Sequence, residues 1–151
     1  LRPDLRMTFL DALKKRILFL QDALSRLGLQ AEALHARAED AARLPLYRGQ
    51  YDAAVSRAVA AAPVLQELTL PFLRQGGLSI AWKGPGLSEE MTAARRAAFL
   101  LGGTVRGILD APVPGREEWA HVLLITEKTG KTPDIYPRRA GTPGKKPLGR
   151  G

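Results

Sequence analysis

The sequence contains no cysteine, which excludes disulfides, thiolate metal sites and any mechanism built on a cysteine nucleophile. Histidine is nearly absent as well. His35 and His121 fall on expected strands without metal-ligand partners nearby, and both read as structural rather than catalytic. No stretch approaches the roughly 20 apolar residues needed to cross a bilayer, and Leu1-Arg2-Pro3-Asp4 lacks the layout of a signal peptide. The chain is therefore expected to be soluble and cytoplasmic, with no membrane partner. Lys83-Gly84-Pro85-Gly86 lacks the spacing of a phosphate loop. Acid is also in short supply: 15 Asp and Glu face 23 Lys and Arg, for a formal net charge of +8 and a pI near 10.3. That excess points to an anionic partner, of which nucleic acid is the commonest.

What is present fits one domain with a sizeable core: 151 residues, 45% of them hydrophobic. Leu5 to Leu10 is a short apolar run, and Leu13, Ile17, Leu20, Leu24 and Leu27 follow at helical spacing, so a strand leads into a helix. Gly28 stands where a C-terminal glycine cap belongs. A weaker strand at 33–36 precedes a short helical segment, "RAEDAARL". Tyr51 to Val55 reads as a third strand, "AAPVLQELTLPFL" as a helix ended by Gly76-Gly77, and Leu78 to Trp82 as a fourth strand. A helix from about Ser88 to Leu101 and strands at 104–109 and 121–126 complete the pattern. Strands alternating with helices predict an α/β protein with a mainly parallel sheet. The 109–121 connection holds Pro112, Pro114 and Gly115 and no helical pattern, so the last two strands are expected to pair as an antiparallel hairpin at the sheet edge.

Ligands of open α/β sheets bind beyond the carboxyl ends of the strands. Asp11 follows the first strand, where a carboxylate either accepts bonds from a ribose diol or caps the helix. Glu39 and Asp40 follow the second, where a helix dipole favours acids with or without a ligand. Arg57 follows the third and Lys83 the fourth. Lys14, Lys15 and Arg16 read as a solvated helix face. Residues 128–151 form a separate basic segment behind a body of 1–127, with seven basic residues against one acid, four prolines and five glycines. Composition alone reads this segment as a solvated terminus.

The stretches "LDALKKRILFL", "RAED", "SRAVA", "GGLSIAWKG" and "EKTGKTPDIYPRRAGTPGKKPL" occur in the order seen in the small-subunit ribosomal RNA methyltransferase G family, also called glucose-inhibited division protein B. The chain resembles that family from Leu1 to about Leu148. The resemblance implies a class I S-adenosylmethionine-dependent methyltransferase fold, Rossmann-like, and methyl transfer to N7 of a guanine in 16S ribosomal RNA. It implies cofactor contacts at Leu10, Asp11, Ala12, Ala38, Glu39 and Arg57. It also turns the tail into an ordered basic surface, with Lys83, Arg138, Arg139, Lys145 and Lys146 as candidate RNA contacts. The expected partner is 16S ribosomal RNA or the small ribosomal subunit, met by a monomer that uses no metal. In this family a first strand and a glycine-rich loop come before the region that "LRPDL" resembles. The chain is thus expected to be the C-terminal portion of a longer protein, with two strand edges facing a gap.

Guanine N7 carries a lone pair and no proton, so its methylation needs no general base and rests largely on proximity and orientation. No catalytic residue is therefore assigned. Pyrimidine C5 methylation would call for the missing cysteine, and "SRAVA" departs from the Asn/Asp-Pro-Pro-aromatic motif of exocyclic-amine methyltransferases. A non-enzymatic basic RNA-binding or ribosome-associated module accounts for the tail equally well, but not for acids and an arginine after successive strands. A nicotinamide-dependent enzyme shares the acidic ribose contact but fits the hairpin and tail less well.

Overall fold

A computed structural model describes residues 4–149; Leu1, Arg2 and Pro3 of the "LRPDL" stretch and Arg150 of the basic tail lie outside the described residues. The chain runs β1 (Thr8–Asp11), α1 (Lys14–Leu27), β2 (Glu32–His35), α2 (Ala38–Ala41), β3 (Tyr51–Arg57), α3 (Ala62–Thr69), β4 (Leu73–Lys83), α4 (Leu87–Leu100), β5 (Gly103–Asp110), β6 (Val122–Lys128) and α5 (Thr142–Lys145). Short 3-10 turns occupy Leu70–Phe72 and Glu117–Trp119. No helix among the described residues is long and apolar enough to cross a membrane.

The strands form two sheets, a parallel pair β1-β2 and a four-stranded sheet in the order β3-β4-β6-β5. β3 and β4 are parallel, whereas β6 runs antiparallel to both of its neighbours. The expected terminal hairpin is thus present with β6 inside the sheet and β5 at its edge. Among the described residues β1 pairs only with β2 and β3 only with β4. Between these two unpaired edges lies a cleft of about 250 Å³, lined by Thr8 and Leu10 of β1, Ala54, Val55 and Ser56 of β3, and Leu65 of α3. The Tyr51 hydroxyl bridges the start of the cleft, donating to Thr8 Oγ1 at 3.2 Å.

Local chemistry explains most boundaries. Gly28 adopts φ 62°, and its amide bonds the Leu24 and Ser25 carbonyls, closing α1 as a glycine cap does. Pro63 opens α3, where its missing amide goes unused. One expectation fails: Gly76-Gly77 does not end a helix but lies inside β4. The helix stops at Thr69, two residues before Pro71, which has no amide to continue it. The glycines instead make a bulge, because the register jumps from Tyr51↔Leu73 to Ala53↔Leu78. Gly76 has φ 82°, and a Cβ on Gly77 would come within 2.9 Å of the Arg74 carbonyl oxygen and 3.0 Å of that of Asp52. Only glycine lets the backbone approach so closely.

The main core joins α3 and α4 to the larger sheet through Leu65, Leu70, Leu73, Ala94, Ala98, Leu101 and Leu124. A smaller cluster of Ala41, Ala42, Tyr47 and Phe72 ties α2 to the β1-β2 side. α3 is buried on almost every face. Part of its polar complement is paired inside the core: Gln66 Nε2 donates to Thr126 Oγ1 at 3.0 Å, and Thr69 and Ser79 share a hydroxyl bond of 2.8 Å, while Gln66 Oε1 is buried without a partner among the described residues.

Candidate functional site

The candidate cofactor residues stand at or just after the carboxyl ends of three successive strands. Leu10 and Asp11 end β1, Ala12 follows, Ala38 and Glu39 open α2 just after β2, and Arg57 ends β3. Leu10 and Ala38 line the cleft. The β1 and β2 ends are fastened to each other, since the Ala36 amide donates to the Asp11 carbonyl at 3.3 Å and His35 Nε2 donates to the Ala12 carbonyl at 3.1 Å. His35 thereby has a structural task.

Asp11 plays the helix-entry part directly: Oδ1 accepts the Leu13 amide at 2.7 Å, and Oδ2 accepts Arg16 Nη1 at 3.0 Å. The Leu13 amide, followed by the Arg16 guanidinium, holds the carboxyl below its ordinary value, against the opposing effect of burial. Asp11 is therefore an anion held in a fixed orientation, with its side chain 24% exposed. Each carboxylate oxygen has a second lone pair free for a hydroxyl donor. The apolar cleft wall suits an aromatic base, and Ser56 Oγ is buried on β3 without a partner among the described residues. An adenosine-bearing cofactor fits these features. Glu39 is only 8% exposed, and its Oε1 accepts the Gly141 amide at 2.8 Å. Its carboxylate thus anchors the tail, whichever face its backbone presents to a ligand.

The basic segment is not a loose end. Arg48 donates from Nη1 to the carbonyls of Ala42 at 3.2 Å and Tyr136 at 2.8 Å, and from Nη2 to those of Thr132 at 3.1 Å and Pro133 at 3.3 Å. Arg43 Nη2 donates to the Pro137 carbonyl at 2.5 Å. Lys128 Nζ is buried and donates to the carbonyls of Leu70 at 3.0 Å and Leu101 at 3.2 Å, and to Thr132 Oγ1. Burial first, and then the charge of Arg48, pull the Lys128 pKa down to about 8. Pro137 and Pro143 are fully buried, and Tyr136 and Leu148 pack on the main core.

This clasp divides the candidate RNA contacts. Arg138 points inward, to the fully buried Glu67: its amide donates to Oε1 at 2.7 Å, Nε reaches Oε1 at 3.0 Å and Oε2 at 3.1 Å, and Nη2 donates to Oε2 at 2.6 Å. These bonds raise the Arg138 pKa above its ordinary value. Lys83 is likewise engaged, with Nζ 2.9 Å from Glu90 Oε2 and donating to the Ala60 carbonyl at 3.2 Å. Glu90 Oε2 also accepts the Ala62 amide at 2.6 Å. These contacts tie the 58–61 connection to the end of β4, and neither cation is left free for phosphate. Arg139, Lys145 and Lys146 are exposed. Sequence reasoning missed Glu67, Arg43, Arg48 and Glu90, whose partners mostly lie tens of residues away. One signal was available: Glu67 is a lone carboxylate in the otherwise nearly apolar run "APVLQELTLPF", which calls for a buried cation.

Comparison with known proteins bears on this rim. Residues 1–112 match the family profile described as rRNA small subunit methyltransferase G. A curated protein of that name from Moorella thermoacetica is 45% identical over 148 residues, covering 97% of this chain and 61% of that protein. The chain thus spans about 61% of the length of this relative. Among solved structures, an rRNA methylase from Streptococcus thermophilus has a TM-score of 0.58 at 15% identity, over 85% of this chain and 78% of the other. A geranyl diphosphate C-methyltransferase from Streptomyces coelicolor, solved with S-adenosyl-L-homocysteine, has a TM-score of 0.59 at 14% identity, over 82% of this chain and 64% of that one.

Proposed function

The chain belongs to the rRNA small subunit methyltransferase G family, and on that premise we propose that the complete protein methylates N7 of a guanine in 16S ribosomal RNA, with S-adenosylmethionine as methyl donor. The observation that supports the reading is that Leu10, Asp11 and Ala12, Ala38 and Glu39, and Arg57 stand at or just after the carboxyl ends of three successive strands, with Leu10 and Ala38 lining the cleft. That is where ligands of open α/β sheets bind.

When bound, the cofactor supplies an electrophilic methyl group on a sulfonium. Asp11, kept ionised by the Leu13 amide, accepts the ribose hydroxyls, while Leu10 and Ala38 offer apolar wall to the adenine. Arg57 ends β3, with its guanidinium over the Trp82 ring. Guanine N7 needs no proton removed, so the task of these residues is to hold and align two reactants, and such alignment accounts for a large share of a barrier. The edges of β1 and β3 that are unpaired among the described residues support a further strand of the complete protein between them, paired to both. Arg139, Lys145 and Lys146, displayed by the clasped tail, attract RNA phosphates.

The test is methyl transfer by the complete protein from radiolabelled S-adenosylmethionine to 16S ribosomal RNA and to the small subunit. The RNA is then digested and its nucleosides separated. Label in 7-methylguanosine is the expected result; label in another nucleoside, or none on either substrate, overturns the assignment.

A further inference from the structure

From Arg57 onward, the rim where β3, β4 and β6 meet carries a continuous series of side-chain contacts, of which Trp82, His121, Trp119 and Arg116 are left unused by the cofactor and phosphate assignments. The Arg57 guanidinium lies over the Trp82 ring, 5.2 Å from its centroid, because the two residues are opposite one another in the β3-β4 register. Trp82 meets His121 edge to face at 5.8 Å and 74°. His121 meets Trp119 in the same way at 5.6 Å and 89°, and the Arg116 guanidinium lies 5.6 Å over Trp119. The antiparallel start of β6, where Val122 pairs with Lys83, is what brings His121 beside Trp82.

Hydrogen bonding does not account for this arrangement. Trp82 Nε1 and His121 Nδ1 are buried without partners among the described residues, and the contacts made by these rings are with one another and with the flanking side chains. Ala58, just after Arg57, has φ 54°, and Ala120, between Trp119 and His121, has φ 45°. Non-glycine residues in this left-handed region persist only where their surroundings hold them, often at binding sites. The outer end is open: Trp119 is 44% exposed, and Arg57 and Arg116 are exposed. Glu118 places Oε1 3.9 Å from Arg116 Nη1. Three rings in edge-to-face contact with a guanidinium group at each end, on a chain of net charge +8, suit a strand whose bases are unstacked and whose phosphates are negative.

We propose that this ladder is a stacking platform for unpaired bases of single-stranded RNA. A base covers Trp119, Arg57 and Arg116 meet the flanking phosphates, and Trp82 and His121 position the two ends. The inference rests on the RNA-directed reading above and adds how the strand is held beside the reacting centre. Base stacking, unlike phosphate contact, tolerates any sequence and requires a base to be present.

The experiment uses the complete protein, and the emission lost on Trp119→Phe substitution isolates the Trp119 signal. A single-stranded adenine-rich RNA of about 12 nucleotides, within the range of single-strand site sizes, should quench that signal; an abasic oligomer of equal charge should not. Trp119→Ala should weaken RNA binding by about fivefold or more, the lower end for one stacked base. It should leave the salt dependence unchanged, because no phosphate contact is lost, and Trp119→Phe should retain most of the affinity. Equal quenching by the abasic oligomer, or wild-type affinity in Trp119→Ala, overturns the proposal. So does a Trp119 response confined to RNA-free small-subunit proteins, which would make the ladder a protein-docking surface. If Trp119→Ala fails to fold, the wild-type comparison of RNA with abasic oligomer still decides. Stacking with no methyl transfer leaves this inference standing and removes the enzymatic one.

Discussion

Replacing Arg138 should destabilise the fold while leaving the salt dependence of RNA binding intact, and replacing its exposed neighbours should do the reverse. Glu67 is 0% exposed, and the Arg138 side chain supplies three of its four hydrogen bonds and its countercharge. Arg138→Met keeps an apolar stem but leaves a carboxylate buried with only the residue 138 amide as donor. Removing one partner of a buried pair costs about 3 to 5 kcal/mol. The surviving amide bond at 2.7 Å and the 25% exposure of the Arg138 side chain place this case near the lower figure, about 3 kcal/mol. Equilibrium urea denaturation should show a lower midpoint at unchanged slope. The double variant Glu67→Gln, Arg138→Met should recover part of the loss, because the uncompensated charge leaves with its partner. In contrast, Arg139→Gln, Lys145→Gln and Lys146→Gln together should lower the slope of log affinity against log salt by up to about 2 to 3 and move stability by no more than about 0.5 kcal/mol each. A loss below about 1 kcal/mol in Arg138→Met, with no recovery in the double variant, would refute the inward assignment.

Asp11→Ala in the complete protein should weaken S-adenosylmethionine binding by about 1 to 3 kcal/mol, the loss of a charge-assisted hydrogen bond; calorimetry that finds unchanged affinity removes Asp11 from the cofactor site. Lys128 falls from 10.5 to about 8 on folding, so between those values the unfolded state binds more protons and stability rises with pH. The penalty of burying the charge is in full force below about pH 8 and fades as pH climbs towards 10.5. Across pH 7 to 10 the denaturation midpoint of wild type should therefore rise relative to that of Lys128→Met, and a pH-independent difference would contradict the burial argument. Gly102→Ala should lower thermal stability by at least about 1 kcal/mol, since Gly102 has φ 74° and a Cβ there would lie 2.6 Å from the Gly130 carbonyl oxygen; a variant that melts like wild type would mean that the 128–131 turn moves away freely.

The alternation of periodicities determined which segments became strands and helices, because hydrophobic spacing reports directly on which face of an element is buried. The Gly28 cap was legible for the same local reason, and so was the strand-to-helix corner, where Asp11 accepts the amide of Leu13, the residue before α1. Even the antiparallel turn at the end of the sheet could be read, from a connection too poor in helical pattern to cross over. What spacing could not convey was the partner of any long-range group. Gly76-Gly77 looks the same in sequence whether it ends a helix or makes a bulge, and only the neighbouring Asp52 and Arg74 carbonyls decide. The tail's charge was plain, but its direction was not. Arg138 and Arg139 are adjacent in sequence, yet one meets a carboxylate 71 residues away and the other faces solvent. Arg57, Trp82, Trp119 and Arg116 line up because β3, β4 and β6 place their ends side by side. Charge and periodicity are properties of the chain, whereas desolvation and pairing belong to the packed molecule, and those set what each cation here is able to bind.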